Sequence, residues 1–166
     1  MKFDVALSFL RNFSDYEFSF DYQANLGGLK PDILVRAKHI NNSKEFTFLV
    51  EIERKKEMTR IYRDKITRYN KFIKNGLFEK NKLSPKTKVL FVCSNLRYDP
   101  YLRPQQYNQP EVKEQLGTLY KQFNHFLNEI RKEGDKHYRF IPFSEFNRIA
   151  EPIWIMPSGN VKKIIE

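Results

Sequence analysis

"KPDILVRAKHINNSKEFTFLVEIERKK", residues 30–56, decides how this chain folds. Two apolar runs, at about 31–38 and 45–54, flank Asn41-Asn42, residues that tolerate positive φ and close hairpins. Strand residues two apart share a face, so Glu51, Glu53 and Lys55 point one way while Val50 and Ile52 point the other. With Asn41-Asn42 as a two-residue loop, Asp32 stands directly across from Glu51, their Cβ atoms roughly 5 Å apart. Two carboxylates so placed repel each other unless a cation lies between them. A hard divalent ion such as Mg2+ or Mn2+ takes one or two carboxylates and keeps several waters. Such an ion can activate water and stabilise charge on a phosphate. Ordinary pairing with Lys38, Lys44, Lys55 and Lys56 is the competing explanation.

Downstream, the spacing predicts a helix over about 57–74. Met58, Ile61, Tyr62, Ile66, Tyr69, Phe72 and Ile73 form one stripe at 100° per residue. Lys65 falls near the middle of that stripe, where a lysine is uncommon unless it is paired or snorkels to water. The acidic strand leads directly into this helix, so the helix is expected to pack on the sheet and bring Lys65 to Glu51 and Glu53.

Upstream, Phe3, Ala6, Leu7, Leu10 and Phe13 recur at helical spacing and predict a short first helix. "DYEFSFDYQ" alternates, with Tyr16, Phe18, Phe20 and Tyr22 on one face of a half-buried strand. Gly27-Gly28 turns the chain into the second strand. Beyond the 57–74 helix come a buried strand at 89–93, a Pro-rich loop and a second long helix on a stripe from Val112 to Ile130. A strand in "HYRFIPF" and a short helix follow. The order is helix, three strands, helix, strand, helix, strand, which predicts an α/β domain over 1–166 with one mixed central sheet flanked by helices.

Lys and Arg number 30 against 20 acids, a formal charge of +10 in 166 residues. That balance favours a polyanionic partner, because cations that neutralise phosphates release counterions. The single cysteine, Cys93, excludes a disulfide within the chain and any cysteine-based zinc site. The reading is a reduced, cytoplasmic protein without a membrane span, Cys93 being a small core residue. His39, His125 and His137 are scattered, and neither a Ser-His-Asp set nor a phosphate-binding glycine loop is visible.

Pro31-Asp32, then Glu51 in an apolar strand, then a helix, resembles the PD-(D/E)XK nuclease superfamily. More narrowly, "FLVEIERKKEMTRIYRDKITRYNKFI" is similar to the replication-relaxation family of plasmid and mobile-element proteins. That family's pattern is a Glu-x-Asp-Arg strand end followed by a helix with Lys and Tyr four apart. The matching positions here are Glu51, Glu53, Arg54, Lys65 and Tyr69, and the detailed resemblance covers about residues 29–75. It implies a restriction-endonuclease-like core, Asp32 and Glu51 as metal ligands with the Ile52 carbonyl, and catalytic Glu53 and Lys65. It also implies Mg2+- or Mn2+-dependent cleavage of DNA by an endonuclease or nickase of a mobile element. The partners would be DNA and proteins of replication or mobilisation.

The superfamily lysine, two residues after the glutamate, is Glu53 in this chain. Either the motif is shifted to Glu53 and Lys55, or the lysine has moved to the helix as Lys65, which the narrower pattern favours. Tyr69 is a further candidate. Arg54, Lys56, Arg60, Arg63 and Arg68 are the expected contacts to nucleic acid. A nuclease-like fold without catalysis, binding DNA or a protein partner, is the alternative.

Overall fold

The computed structural model describes residues 2–53, 58–84, 86–93, 136–156 and 161–165, without the side chains of 58–63, 93, 142–145, 155 and 161. The expected long helix at 112–130 and the Pro-rich loop lie outside the described residues. So do Arg54, Lys55 and Lys56.

A first helix α1, Lys2–Asn12, precedes three strands, β1 Tyr16–Asp21, β2 Ile33–His39 and β3 Glu45–Glu53. These form an antiparallel meander. Helix α2, Met58–Lys74, crosses to β4, Lys88–Cys93, which runs parallel to β3, and β5, Tyr138–Pro142, runs parallel to β4. Two short strands, β6 Trp154–Ile155 and β7 Val161–Lys162, complete one seven-stranded mixed sheet in the order β1 to β7. The expected α/β class with a mixed sheet flanked by helices is thus observed. No described helix is long and apolar enough to cross a membrane.

The register of the hairpin is the expected one. Ile33 pairs with Val50, and every pair down to Lys38 with Glu45 keeps the same sum. The turn is longer than two residues, since the last ladder bond runs from His39 N to Lys44 O and leaves Ile40–Ser43 as the loop. Upstream, Leu26 N donates to Leu29 O across Gly27 and Gly28, whose φ of 65° and 100° suit a primed turn that side chains resist.

Alternation sorts the strands into two cores. One face packs Val5 and Phe9 of α1 on Ile33, Val35, Phe48, Val50, Ile52, Leu90, Val92 and Trp154. The other packs Ile66, Tyr69 and Phe72 of α2 on Leu34, Leu49, Val89, Phe91 and Phe140. Helix α2 stops at Gly76, whose φ of 63° supplies the left-handed cap. A one-turn helix α3, Leu77–Lys80, not foreseen from the sequence, then adds Phe78 to that core.

The expected stripe on α1 needs correction. Val5, Ala6, Ser8 and Phe9 are the buried residues, while Phe3 and Leu10 stand 69% and 52% exposed. Both faces of this helix are apolar, so spacing alone could not choose between them. Phe9 decides it, packing in tilted and edge-on contacts among Phe13, Phe18, Phe20, Phe48 and Phe146.

Candidate functional site

Local strand geometry explains why Pro31-Asp32 precedes the hairpin. His39 and Lys44 form a hydrogen-bonded pair, and such pairs recur every second residue, so 33 with 50 is one and 31 with 52 would be the next. Proline has no N–H to give, and β2 ends there. The Ile52 N–H instead donates to Asp32 Oδ2 at 2.8 Å. The aspartate therefore finishes the ladder with its side chain, which fixes its carboxylate at the end of β3.

Glu51 and Glu53 share the α2 face of β3, opposite Ile52, whose side chain belongs to the α1 core. As expected from the strand leading into it, α2 with its core covers this face, and both glutamates are buried. What makes this tolerable is Lys65. Its Nζ lies 2.6 Å from Glu51 Oε2 and also ion-pairs with Glu53 Oε1. The second Glu51 oxygen accepts a bond from the Tyr69 hydroxyl at 2.7 Å. One helical turn separates Lys65 from Tyr69, so a single helix face supplies both donors.

Burial pushes the Glu51 carboxyl above its ordinary range despite the pull of Lys65 and Tyr69, and the nearby Asp32 charge adds to the rise. For Lys65, burial favours the neutral amine, but the charges of Glu51 and Glu53 outweigh it and the net shift is upward. Burial and the Glu51 charge hold the Tyr69 hydroxyl well above the usual tyrosine value, so it stays a donor.

A second cation reaches the site from the first helix. Lys2 Nζ donates to the Asp32 carbonyl at 2.9 Å and lies 3.3 Å from Asp32 Oδ1. Nothing in the sequence signalled this, because thirty residues separate the two and α1 packs on the opposite face. Among the described residues, Asp32, Glu51 and Glu53 thus meet two ammonium groups, those of Lys2 and Lys65.

Among the described residues, no group of three or more His, Cys, Asp or Glu forms a metal-holding arrangement. The chemistry of the donors nonetheless fits a hard divalent cation. Each carboxylate has about four lone-pair positions, and two contacts on Glu51 leave others free. The Asp32 side chain is 30% exposed; the sheet takes Oδ2, and Oδ1 is shared with the half-exposed Lys2 ammonium, which an ion could displace.

Asp32, Glu51, Glu53, Lys65, Tyr69 and the Ile52 backbone are therefore brought together. Of the expected nucleic-acid contacts, Arg68 is exposed on the outer side of α2, where its Nε donates to Asp64 O at 3.4 Å. Arg60 and Arg63 lie in α2, their side chains outside the described residues. No protein-family model, curated protein or solved structure matches this chain.

Proposed function

We propose that the chain is a metal-dependent phosphodiesterase acting on DNA, an endonuclease or nickase of the kind its resemblance implies. The observation that carries this reading is Lys65: a helix lysine turned inward onto Glu51 and Glu53, beside an aspartate held on the neighbouring strand. The order α1, β1, β2, β3, α2, β4 also agrees with the core of the PD-(D/E)XK superfamily.

Asp32 and Glu51 would hold Mg2+ or Mn2+. The Ile52 carbonyl lies on the same strand edge as the amide that meets Asp32. When bound, such an ion supplies Lewis acidity and a water of lowered pKa. Lys65 has three donors, and its contacts to two carboxylates leave one for an attacking water or a phosphate oxygen. Tyr69 and Lys65 together fix the orientation of Glu51. The basic surface concentrates the polyanion.

One observation favours the other reading, an inert nuclease-like module that binds DNA or a replication or mobilisation protein. The Glu51 side chain is only 5% exposed and both its oxygens are engaged, while Glu53 replaces the superfamily lysine. Calorimetry with Mg2+ and Mn2+, paired with cleavage of supercoiled plasmid, separates the two. The enzyme reading expects a binding isotherm that Asp32→Ala abolishes, and cleavage that Lys65→Ala abolishes. Absence of a metal signal and of cleavage in the wild type leaves the module.

A further inference from the structure

On the meander, beyond the part covered by α2, a cavity of about 330 Å3 opens over β1, β2 and β3, lined by Glu17, Ser19, Arg36, Lys38, Glu45 and Thr47. The register arranges these six side chains in two cross-strand rows. Glu17, Lys38 and Glu45 form one, and Ser19, Arg36 and Thr47 form the other. Directly opposed residues on one face have Cβ atoms roughly 5 Å apart. In the first row a lysine stands between two carboxylates and its charge is more than offset. In the second row an arginine stands between two hydroxyls, with no carboxylate directly opposite it and Glu17, Asp21 and Glu45 only diagonal to it.

We propose that Arg36, with Ser19 and Thr47, forms a seat for a phosphate group of a nucleic-acid strand. The guanidinium offers a planar fork that matches two phosphate oxygens, and the hydroxyls can donate from either side. Among the described residues, Arg36 makes no ion pair or side-chain hydrogen bond that would hold it elsewhere. The carboxylate row beside it repels an anion, so the phosphate is directed to the Arg36 row.

This inference rests on the nucleic-acid reading above and extends it. Arg36 is four residues along from Asp32, about 13 Å at 3.3 Å per residue. A few nucleotides of one strand span that distance, since the 3.4 Å rise per phosphate is measured along the duplex axis and not along the strand itself. Between them Leu34 is buried, in the same core cluster as Ala24 and Leu26 of the preceding loop. The seat would hold substrate several nucleotides from the carboxylates and set which bond reaches them.

The test is fluorescence anisotropy of a labelled single-stranded DNA 12-mer in EDTA, which removes any dependence on metal. Arg36→Gln is expected to weaken binding about tenfold and to lower the slope of log affinity against log salt by about 0.7, the loss of one phosphate contact on a single strand. Lys38→Gln, one row away and of equal charge, is expected to change affinity less than twofold. Equal effects of the two substitutions, or none from Arg36→Gln, overturn the seat. So does a wild-type protein that does not bind the oligonucleotide. The metal reading is judged apart from this, since the calorimetric response of Asp32→Ala does not involve Arg36. Arg36-dependent binding without a metal signal would keep the seat and discard the phosphodiesterase.

Discussion

The same strands are buried by different chemistry on the two sides of the sheet. Toward α1 the interior is mainly hydrocarbon and aromatic rings, centred on Phe9 with five aromatic neighbours, although Ser8 and Arg139 are also buried on this side. Toward α2 the core begins in the same way, with Tyr69 packed edge-on to Phe91. At the C-terminal end of β3 it becomes a network of Glu51, Glu53, Lys65 and Tyr69. An apolar face gains from every methylene it hides. A buried charge network gains little on balance, because desolvation offsets most of the attraction. The comparison therefore teaches where to look for function: the α1 face holds the fold, and the end of the α2 face keeps charged groups that packing alone would not select.

The largest expected effect belongs to the apolar side. Phe9→Ala should lower unfolding free energy by about 3–5 kcal/mol, measured by urea denaturation. Metal binding by the protein that remains folded should not change. A loss under about 1 kcal/mol would break the comparison, since it would mean the aromatic cluster is not the main support.

Next comes Lys65→Met, which takes the shared ammonium away from two buried carboxylates. Breaking a fully buried pair costs about 3–5 kcal/mol, and the Lys65 side chain is 24% exposed, so about 2–3 kcal/mol is expected near neutral pH. The pH dependence follows from the direction of both shifts. Glu51 holds its proton more tightly folded than unfolded, so its contribution is present below the ordinary 4.5 and is lost as pH rises through the folded value. Removing Lys65 raises Glu51 further, so the deficit of the variant should shrink from pH 8 to pH 5. Lys65 is also raised, so its stabilisation is present below 10.5 and disappears as pH climbs through its folded value. The wild type should lose that part of its stability in alkali, and the variant should have none to lose. A deficit independent of pH would refute the charge account.

A smaller effect is expected from Tyr69→Phe, which keeps the ring against Phe91 and removes one donor from Glu51. Lys65 remains on the other oxygen, so the loss should be about 1.5 kcal/mol, the lower end for a hydrogen bond to a charged group. Thermal denaturation measures this. If the tyrosine also orients Glu51 for a metal, calorimetric affinity for Mn2+ should fall alongside stability.

The smallest effect sharpens the comparison from outside both cores. Phe3→Ser on the exposed side of α1 should change stability by no more than about 0.5 kcal/mol, despite removing a whole aromatic ring. A larger loss would mean that this face is covered in solution.

Much of the architecture was legible because it rests on local periodicity. The alternation in β1, the turn residues before β2 and the inward position of Lys65 on α2 all follow from backbone repeats that neighbouring residues set. The hairpin register was legible for the same reason, through Asn41-Asn42, although the turn itself is longer. Other features were not. The extent of burial of Glu51 and Glu53 was one, because nothing in the strand tells how closely a later helix will cover it. The α1 stripe was read on the wrong side because that helix is apolar on two sides. Arg36 and Lys2 drew no notice, being single basic residues among thirty.

Local sequence was enough for strands β1 to β5, helices α1 and α2, the pairing of β2 with β3, and the chemical kinds gathered near Asp32 and Glu51. Those depend on bond geometry and on residues a few positions apart. Tertiary structure alone decided that the glutamates are buried, that Tyr69 takes one oxygen of Glu51 while Lys65 takes the other, and that Lys2 arrives at Asp32 from the far face. It alone also left Arg36 without an opposing carboxylate. Each of these depends on which charges and surfaces meet across the fold, where burial removes the water that would otherwise screen them.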